Sequence, residues 1–409
     1  TRPIATVYAG HQFGHYNPQL GDGRALLLGE WIDSKGRRVD IQLKGSGPTK
    51  YSRGGDGRSP IGPVVREYLV SEAMRALGVP TSRALAAIGT GESVIRNRVE
   101  PGAILTRVTS SHLRIGTVQY FASTLRGNGL MEIVDYAVNR HFFTESSKAQ
   151  KLNIESKPVK ADIQGDQKKP HFTAAEILLR CVAHKFAELV SRWQVLGFVH
   201  GVLNTDNALL CGETIDYGPC AFMDEFNPKA CFSSIDRQGR YAWPNQPSIM
   251  HWNLSVLAEC LIPLLHDDEK IAQKIAQVIV DGYPSQFHQS HQNLLASKFG
   301  LDTIHNRDQA LIQHFQDILE KEQLDYTLSF RWLAETANRT VDHSPLPELY
   351  QPSETLTRWV TIWNDRRAKN EGDMDALCQK MASLQSRIHV HSRLEASASS
   401  LCQPIPLGD

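Results

Sequence analysis

Short runs of alternating apolar and polar residues are typical of the first quarter of the chain. Two of them, residues 25–28 and 39–44, flank the turn-forming tripeptide Ser34-Lys35-Gly36. Such runs on either side of a glycine turn predict a β-hairpin. Two further apolar runs, at 84–88 and 104–108, predict more strands of the same sheet.

One segment between these strands has helical spacing instead. Gly62-Pro63 opens it, and Gly78 follows its last apolar residue, Leu77. Proline in the first turn and glycine after the last turn are the usual start and stop signals of an α-helix. The first 124 residues therefore predict a small sheet with one inserted helix.

Helical spacing dominates the rest of the chain. Thr173 and Glu176 form a predicted capping box ahead of a strongly amphipathic helix. The apolar stripe of this helix consists of Leu178, Val182, Phe186, Leu189 and Trp193. Three more helices are predicted, at 252–265, 271–280 and 308–320. Helices that follow a separate sheet favour the α+β class.

Two segments carry no such pattern. Residues 144–170 contain many lysines and few apolar residues, which predicts a solvated, mobile insertion. Beyond Asp342 the apolar residues are irregularly spaced, and we make no assignment for the end of the chain. The predicted organisation is a sheet-rich lobe over 1–124, a helical lobe over 125–340 and a tail region over 341–409.

The charge and cysteine content exclude several classes of protein. The 44 basic and 44 acidic side chains cancel, so no overall field attracts the chain to nucleic acid or to an anionic membrane. The 7 cysteines include no Cys-x-x-Cys pair, which argues against a disulfide scaffold and a structural zinc site. No run approaches about eighteen apolar residues, and we expect neither a membrane span nor an export leader. The prediction is a cytoplasmic monomer whose anion sites are local.

The first candidate for chemistry follows a predicted buried strand. His200 and Asn207 have the spacing of the kinase catalytic loop, His-Arg-Asp-Leu-x-x-x-Asn, and Asp216-Tyr217-Gly218 stands in place of Asp-Phe-Gly. Amide and carboxylate oxygens suit Mg²⁺, so Asn207 and Asp216 are its candidate ligands. A polar turn after a buried strand would explain the same residues without any chemistry.

One position departs from the kinase pattern. Val202 stands where kinases have the catalytic aspartate, so the usual base is missing. Asp206 is the nearest carboxylate that can replace it.

A second candidate group precedes the catalytic loop. Lys44 ends a predicted strand, and Glu67 lies in the helix that follows. In kinases a strand lysine that is held by a helix glutamate contacts the phosphates of ATP. A lysine at the end of a strand is ordinarily only a solvated charge. The correct order of all three kinase elements favours the functional interpretation.

Glycines and arginines cluster around these residues. The segments 45–49 and 51–58 form a glycine-rich, basic loop whose backbone N–H groups suit phosphate. Arg107 and Arg114 bracket a further polar segment, and Arg24 follows a Gly-Asp-Gly string. In a chain without net charge, these arginines favour a local triphosphate pocket, although solvent exposure alone would explain each of them singly.

One pair of histidines is not expected to bind metal. His11 and His15 are four residues apart, but Gln12 stands where a zinc-peptidase helix has glutamate. Gly14 would also weaken such a helix.

These strings together resemble the selenoprotein O family of kinase-like AMP transferases. The matching strings follow the same order over most of residues 5–340: YAGHQFG (8–14), QLGDGRA (19–25), YSR (51–53), GDGR (55–58), SEAM (71–74), RV (107–108), SHLR (111–114), HGVLNTDN (200–207), DYGP (216–219), QGRY (238–241) and NQP (245–247). The resemblance implies a two-lobed, protein-kinase-like fold in which ATP binds in the reverse of the kinase orientation.

The resemblance also implies roles for individual residues. Asp206 is the expected catalytic base, and Asn207 and Asp216 are the expected ligands of Mg²⁺ or Mn²⁺. Lys44, braced by Glu67, is expected to hold the outer phosphates with two arginines. The phosphate and nucleotide contacts would then comprise Lys44, Glu67, Arg107, Arg114, Asp216, Gly21, Gly23, Arg24, Asp56 and Gly57.

The function that follows is protein adenylylation, in which AMP is transferred from ATP to Ser, Thr or Tyr hydroxyls of proteins. Two alternatives stay open, a conventional kinase and a catalytically inactive, ATP-binding scaffold. The resemblance further suggests a conditional disulfide between Cys231 and Cys402, although Ala398 stands near the place where family members carry a terminal cysteine or selenocysteine.

Overall fold

The computed structural model describes residues 2–124, 128–142, 172–338 and 350–386. These residues form a mixed structure of helices and strands, which agrees with the predicted α+β class. The predicted insertion over 144–170 lies outside the described residues.

A short hairpin near the N-terminal end was not predicted. β1 (Gly10–Gln12) pairs with the antiparallel β2 (His15–Asn17). Strands of three residues are too short to produce a readable alternation of apolar and polar positions.

The first predicted hairpin is confirmed. β3 (Ala25–Ile32) pairs with β4 (Arg38–Lys44), and Ala25 lies opposite Lys44. In the connecting turn Gly36 has a φ angle of 72°, a left-handed conformation that glycine adopts without strain.

The sheet is completed around one central strand. β7 (Val99–Thr109) pairs with β4, with the short β5 (Ser59–Pro60) and with β6 (Arg83–Ile95), always antiparallel. The two strands predicted at 84–88 and 104–108 lie within β6 and β7. The register places Gln42 opposite Arg107, so the two side chains lie on the same face of the sheet.

The inserted helix is also confirmed. α1 spans Ile61–Ala76 with Leu77 as its C-cap, and Gly78 follows with a φ angle of 78°. The helix packs against β6 and β7 and buries Val64 and Glu67 on that side. The sheet packing therefore turns a charged residue toward the face that carries Lys44.

Three helices form the centre of the molecule: α2 (Ile115–Ser123), α3 (Gly129–His141) and α4 (Ala174–Leu196). The hydroxyl of Thr173 accepts the backbone N–H of Glu176 at 3.2 Å and so caps α4 as predicted. The five apolar residues of its predicted stripe are all buried.

The catalytic-loop segment follows α4. β8 (Phe198–Val199) pairs with β9 (Ala221–Phe222), and a single 3₁₀ turn, Thr205–Asn207, lies in the loop between them. These short elements bring both ends of the loop together beneath α4.

The next helices are longer than predicted. α5 (Gln246–Leu265) and α7 (Asp308–Lys321) cover the predicted segments, and α6 (Glu269–Phe299) extends well beyond residue 280. Among the described residues, the segment Trp243–Leu265 alone has the length and hydropathy of a membrane span. Leu254, Leu257 and Leu261 of this segment are fully buried in the core, which is the usual position of a core helix.

The C-terminal helices surround a second apolar core. They are α8 (Tyr326–Asn338), α9 (Glu354–Arg367) and α10 (Met374–Ser386). Phe299, Phe315 and Trp359 pack together at the centre of this core. The last two helices lie where the sequence supported no assignment.

Candidate active site

Four charged side chains form a buried cluster between the sheet and the loop after β8. Lys44 Nζ donates to Glu67 Oε2 at 2.5 Å and to Asp216 Oδ1 at 2.9 Å. The guanidinium of Arg107 donates to Glu67 and, at 3.3 Å, to Asp216 Oδ1. The predicted Lys44–Glu67 pair is therefore present, and Arg107 binds the same two carboxylates as Lys44.

Asp216 connects this cluster to the open cleft. Its side chain is 32% exposed, whereas those of Glu67 and Arg107 are almost fully buried. Lys44 and Arg107 hold the pKa of the Asp216 carboxyl well below its usual range, so it is ionised at neutral pH. Its φ angle of 65° is rare for a residue with a side chain and is typical of functional positions.

His200 fixes the loop that carries the other candidate residues. Its Nε2 lies 2.9 Å from the carbonyl oxygen of Ile215, and its Nδ1 lies 3.4 Å from the backbone N–H of Val202. With Nε2 protonated, the ring donates to one segment and accepts from the other. The imidazole thus joins the catalytic-loop segment to the segment that carries Asp216.

Asp206 lies in the 3₁₀ turn and lines the cleft, although it is only 6% exposed. Gln12 Nε2 donates to its Oδ2 at 3.0 Å, while Oδ1 is buried without a hydrogen-bond partner. Burial raises the pKa of the Asp206 carboxyl, and the hydrogen bond from Gln12 opposes that rise. A carboxylate in this environment is a stronger base than one in water.

Arg114 contacts several other residues of the protein. It donates to the backbone carbonyl of Asp206 at 2.6 Å and to Asp22 Oδ1 at 3.3 Å. Its guanidinium carbon lies 4.4 Å from the ring centre of Tyr8. Arg114 therefore positions the Asp206 backbone while its charge faces the same cleft.

Two of the predicted glycines are required by close contacts. A Cβ atom on Gly21, where φ is 73°, would lie 2.4 Å from the ring of Tyr51. A Cβ atom on Gly57, where φ is 63°, would lie 2.0 Å from the carbonyl oxygen of Gly47. Any side chain at either position would push the glycine-rich loops apart.

The rim of the cleft carries further charges. Asp56 is exposed and accepts two hydrogen bonds from Arg96, which lower the pKa of its carboxyl to about 2. The side chains of Arg24 and Arg53 line the cleft and make no hydrogen bond or ion pair among the described residues. These two arginines add positive charge to a cleft of about 570 Å³, where they can contact an anion.

The donor atoms of Asn207 and Asp216 fit a hard divalent cation. Asn207 Nδ2 donates to the Val202 carbonyl at 3.0 Å, and no described group donates to its amide oxygen. Asp216 likewise keeps one carboxylate oxygen without a described protein partner. The described residues contain no group of three or more His, Cys, Asp or Glu side chains that suits a metal. A divalent ion here would therefore take its remaining ligands from phosphate and water.

Every predicted site residue except Glu67 lines this one cleft, and Glu67 lies behind Lys44. Sequence reasoning missed Gln12, Tyr8 and Asp22. Asp22 is 3% exposed and accepts from Gln42 and Arg114, so it supports the arginine. The repeated Gly-Asp-Gly-Arg string was the available signal, since Asp22 lies at its centre.

The predicted disulfide falls partly outside the described residues. Cys231 is exposed and its sulfur lies 3.7 Å from Asp236 Oδ2. Cys402 is not among the described residues, so the pairing stays a prediction.

Comparison with known proteins identifies the chain's relatives. A family model described as "Protein adenylyltransferase SelO" matches residues 1–401. Proteins named "Protein nucleotidyltransferase YdiU" are 49% identical over 366 residues in a Bradyrhizobium species, 48% over 368 in Rhodopseudomonas palustris and 48% over 370 in Alkalilimnicola ehrlichii. Each comparison covers 90% of this chain and 70% of the relative. The chain belongs to the SelO family of protein adenylyltransferases.

Proposed function

We propose that this enzyme transfers AMP from ATP to hydroxyl groups of proteins in the cleft between the sheet and the catalytic-loop segment. One observation carries the proposal. Asp206, Asn207 and Asp216 face the cleft together, while Val202 also lines it in place of the kinase base. In this proposal the site offers one carboxylate as the base and two side-chain oxygens as metal ligands, and only the position of the base departs from the kinase pattern.

In this proposal the acceptor hydroxyl oxygen attacks the α-phosphorus of ATP. The bond from the α-phosphorus to the bridging oxygen breaks, and pyrophosphate leaves with that oxygen. The hydroxyl proton passes to the Asp206 carboxylate, whose raised pKa suits this role.

Positive charge acts on the leaving group. Lys44, Arg107 and Arg114 line the cleft, and their carboxylate partners hold them in fixed positions. Cations that are fixed before the reaction stabilise the charge that develops on departing pyrophosphate without reorganisation. Arg24 and Gly21, Gly23, Asp56 and Gly57 would bound the rest of the nucleotide.

Asn207 and Asp216 would hold the Mg²⁺ or Mn²⁺ ion. When bound, such an ion neutralises phosphate charge and helps to orient the triphosphate. The chain's own contribution is to keep Asp216 ionised and to leave the Asn207 amide oxygen without a donor among the described residues.

The proposal includes the organisation of the chain into lobes. It is a kinase-like arrangement of a sheet-rich lobe over 1–124 and a helical lobe over 125–340, followed by a tail over 341–409. α2 lies inside the first range, yet it packs against α5 and the catalytic 3₁₀ turn. The acceptors would be Ser, Thr or Tyr of cytoplasmic proteins, and the enzyme would act as a monomer.

The position of the label on ATP tests the reaction. Purified enzyme is incubated with a heat-inactivated cell lysate and with ATP labelled at either the α- or the γ-phosphate, and the protein-bound label that depends on added enzyme is counted. We expect α label alone, and we expect Asp206→Asn and Asp216→Ala to abolish its transfer. Transfer of γ label alone would identify a conventional kinase. If ATP binds but neither label is transferred, the chain is an inactive scaffold.

A further inference from the structure

The β1–β2 hairpin lies directly on the catalytic 3₁₀ turn. The backbone N–H of His11 donates to Thr205 Oγ1 at 2.7 Å, and that of Phe13 donates to Asn204 Oδ1 at 3.2 Å. These two bonds lie on either side of Gln12 in the sequence. The backbone of Gln12 is therefore fixed relative to the turn.

The hairpin also fits closely around the Asp206 carboxylate. A Cβ atom on Gly10 would lie 2.9 Å from Asp206 Oδ1, so this oxygen contacts the strand where it has no side chain. That oxygen has no hydrogen-bond partner. The other oxygen, Oδ2, accepts from Gln12 Nε2 at 3.0 Å. Gln12 is thus the one side chain among the described residues that donates to the carboxylate of Asp206.

Gln12 also lines the cleft beside Asp206. The terminal torsion of an aspartate has a broad energy minimum, so packing on one side does not fix the plane of the carboxylate. A single donor on Oδ2 does fix it, provided that the donor is itself held. The two backbone bonds of His11 and Phe13 fix the backbone from which the Gln12 side chain reaches Oδ2.

We propose that Gln12 is a positioning residue for the reaction, which fixes the Asp206 carboxylate in the orientation that receives the acceptor proton. The inference rests on the proposed function, because it assigns Gln12 a role through the base. Gln12 remains bonded to Oδ2 while a second lone pair of the same oxygen accepts from the acceptor hydroxyl. Misplacement of a reacting group by about 1 Å can lower a rate about 100-fold.

Steady-state transfer of α-labelled AMP by the full chain tests this role. Gln12→Ala removes the donor, and Gln12→Glu keeps the size of the side chain but places a second carboxylate beside the first. We expect kcat to fall about 10-fold or more in Gln12→Ala and further in Gln12→Glu. We expect KM for ATP, and the affinity for a non-hydrolysable ATP analogue, to stay within about twofold of wild type.

A matched control is available on the surface. Gln313 on α7 donates to Asp317 Oδ1 at 2.8 Å, and both residues are solvent-exposed and lie outside the cleft. Gln313→Ala and Gln313→Glu therefore make the same chemical changes to a glutamine–aspartate bond away from the site. Both should keep wild-type kcat, and thermal unfolding of all four variants shows whether they are folded.

Three results would overturn the role of Gln12. One is a kcat above half the wild-type value in both Gln12 variants. Another is a raised KM with unchanged kcat, which would make Gln12 a nucleotide contact. The third is a loss of activity that equals the loss of folded protein and is the same in both variants, which would make the role only structural.

The variant Asp206→Ala separates this inference from the proposed function. If Asp206→Ala is inactive while the Gln12 variants are normal, only the role of Gln12 fails. If Asp206→Ala transfers α label as fast as wild type, Asp206 is not the base, and the role of Gln12 fails although AMP transfer itself stands. If the wild-type enzyme transfers no α label, the proposed function itself fails.

Discussion

Two lysines are buried in the part of the chain that the structure describes, and their environments are opposite. Lys44, at the cleft, contacts two carboxylates, and Arg107 shares both of them. Lys298, in the C-terminal core, is 2% exposed and has no carboxylate partner among the described residues. The first lysine belongs to a network of full charges, and the second is surrounded by partial charges.

The partial charges around Lys298 are well defined. Its ammonium group donates to the carbonyl of Val195, in the last turn of α4. It also lies 4.1 Å from the ring centre of Tyr326 and 3.8 Å from that of Phe330. The carbonyl end of a helix and the faces of aromatic rings both attract cations. These interactions do not compensate fully for the solvation that the ammonium group loses on burial, since burial keeps the pKa of Lys298 well below its usual range.

The two environments indicate different roles, binding for Lys44 and packing for Lys298. Lys44 is buried at the edge of an open cleft, where a triphosphate can add to its contacts. Lys298 faces only protein, so its position contributes to the fit between α4, α6 and α8. Burial of a charge is therefore not by itself a sign of a binding site in this chain.

Removal of Glu67 should have the largest effect on stability. Glu67→Gln leaves Lys44 and Arg107 buried, with Asp216 as their one ion-pair partner among the described residues. Removal of one partner from a buried ion pair costs about 3–5 kcal/mol of the free energy of unfolding. Denaturant unfolding near neutral pH measures this value, and a loss below about 1 kcal/mol would mean that the network does not hold the sheet to α1.

The next largest effect should distinguish the two lysines by activity. We expect Lys44→Met to lower AMP transfer about 100-fold or more, since a fixed cation contributes about 3 kcal/mol or more to transition-state stabilisation. We expect Lys298→Met to stay within about twofold of wild type. Assays of α-label transfer by both variants measure this difference. Equal losses in the two would show that burial, rather than position at the cleft, determines the role of these lysines.

Much of the fold could be predicted because its signals are local. The Thr173 hydroxyl caps the start of one helix, Gly78 ends another with a positive φ angle, and the β3–β4 hairpin is set by one turn. α6 was predicted too short because the sequence of its second half, after Pro284, is largely polar and shows no clear apolar stripe. Its continuation depends on packing against α4 and α10, which a periodic pattern does not contain.

The site residues also fall into those with a signal in the sequence and those without one. Lys44, Glu67, Asn207 and Asp216 were found because their order and spacing match a known pattern. Gln12 was missed because its partner lies 194 residues further along the chain, and its own neighbours suggested only a failed metal motif. Lys298 gave no signal either, since its burial results from helices that meet only in the folded protein.

Lys298→Met should stabilise the protein. Methionine has a similar length and needs no solvation, so the cost of burying the ammonium group disappears. The folded state binds this proton less tightly than the unfolded state, so wild-type stability rises with pH up to the unfolded pKa of about 10.4. The methionine variant lacks that rise.

The advantage of Lys298→Met should therefore be greater at about pH 6 than at about pH 9.5, and each unit of pKa depression contributes about 1.4 kcal/mol. Thermal unfolding of both proteins at the two pH values measures it. A variant that is less stable than wild type at both would show that the helix end and the rings outweigh the cost of burial.

The smallest expected effect belongs to Tyr326→Phe. The Tyr326 hydroxyl donates to the Val195 carbonyl at 3.0 Å, and Lys298 donates to the same oxygen. Loss of the hydroxyl alone should cost about 0.5–1.5 kcal/mol, because the lysine still satisfies the carbonyl. In the Lys298→Met background the same change leaves that carbonyl without either side-chain donor, so it should cost about 1–3 kcal/mol. A double-mutant cycle of unfolding free energies measures the difference. If the two losses agree within about 0.5 kcal/mol, the donors act independently, and the Val195 carbonyl does not couple Lys298 to Tyr326.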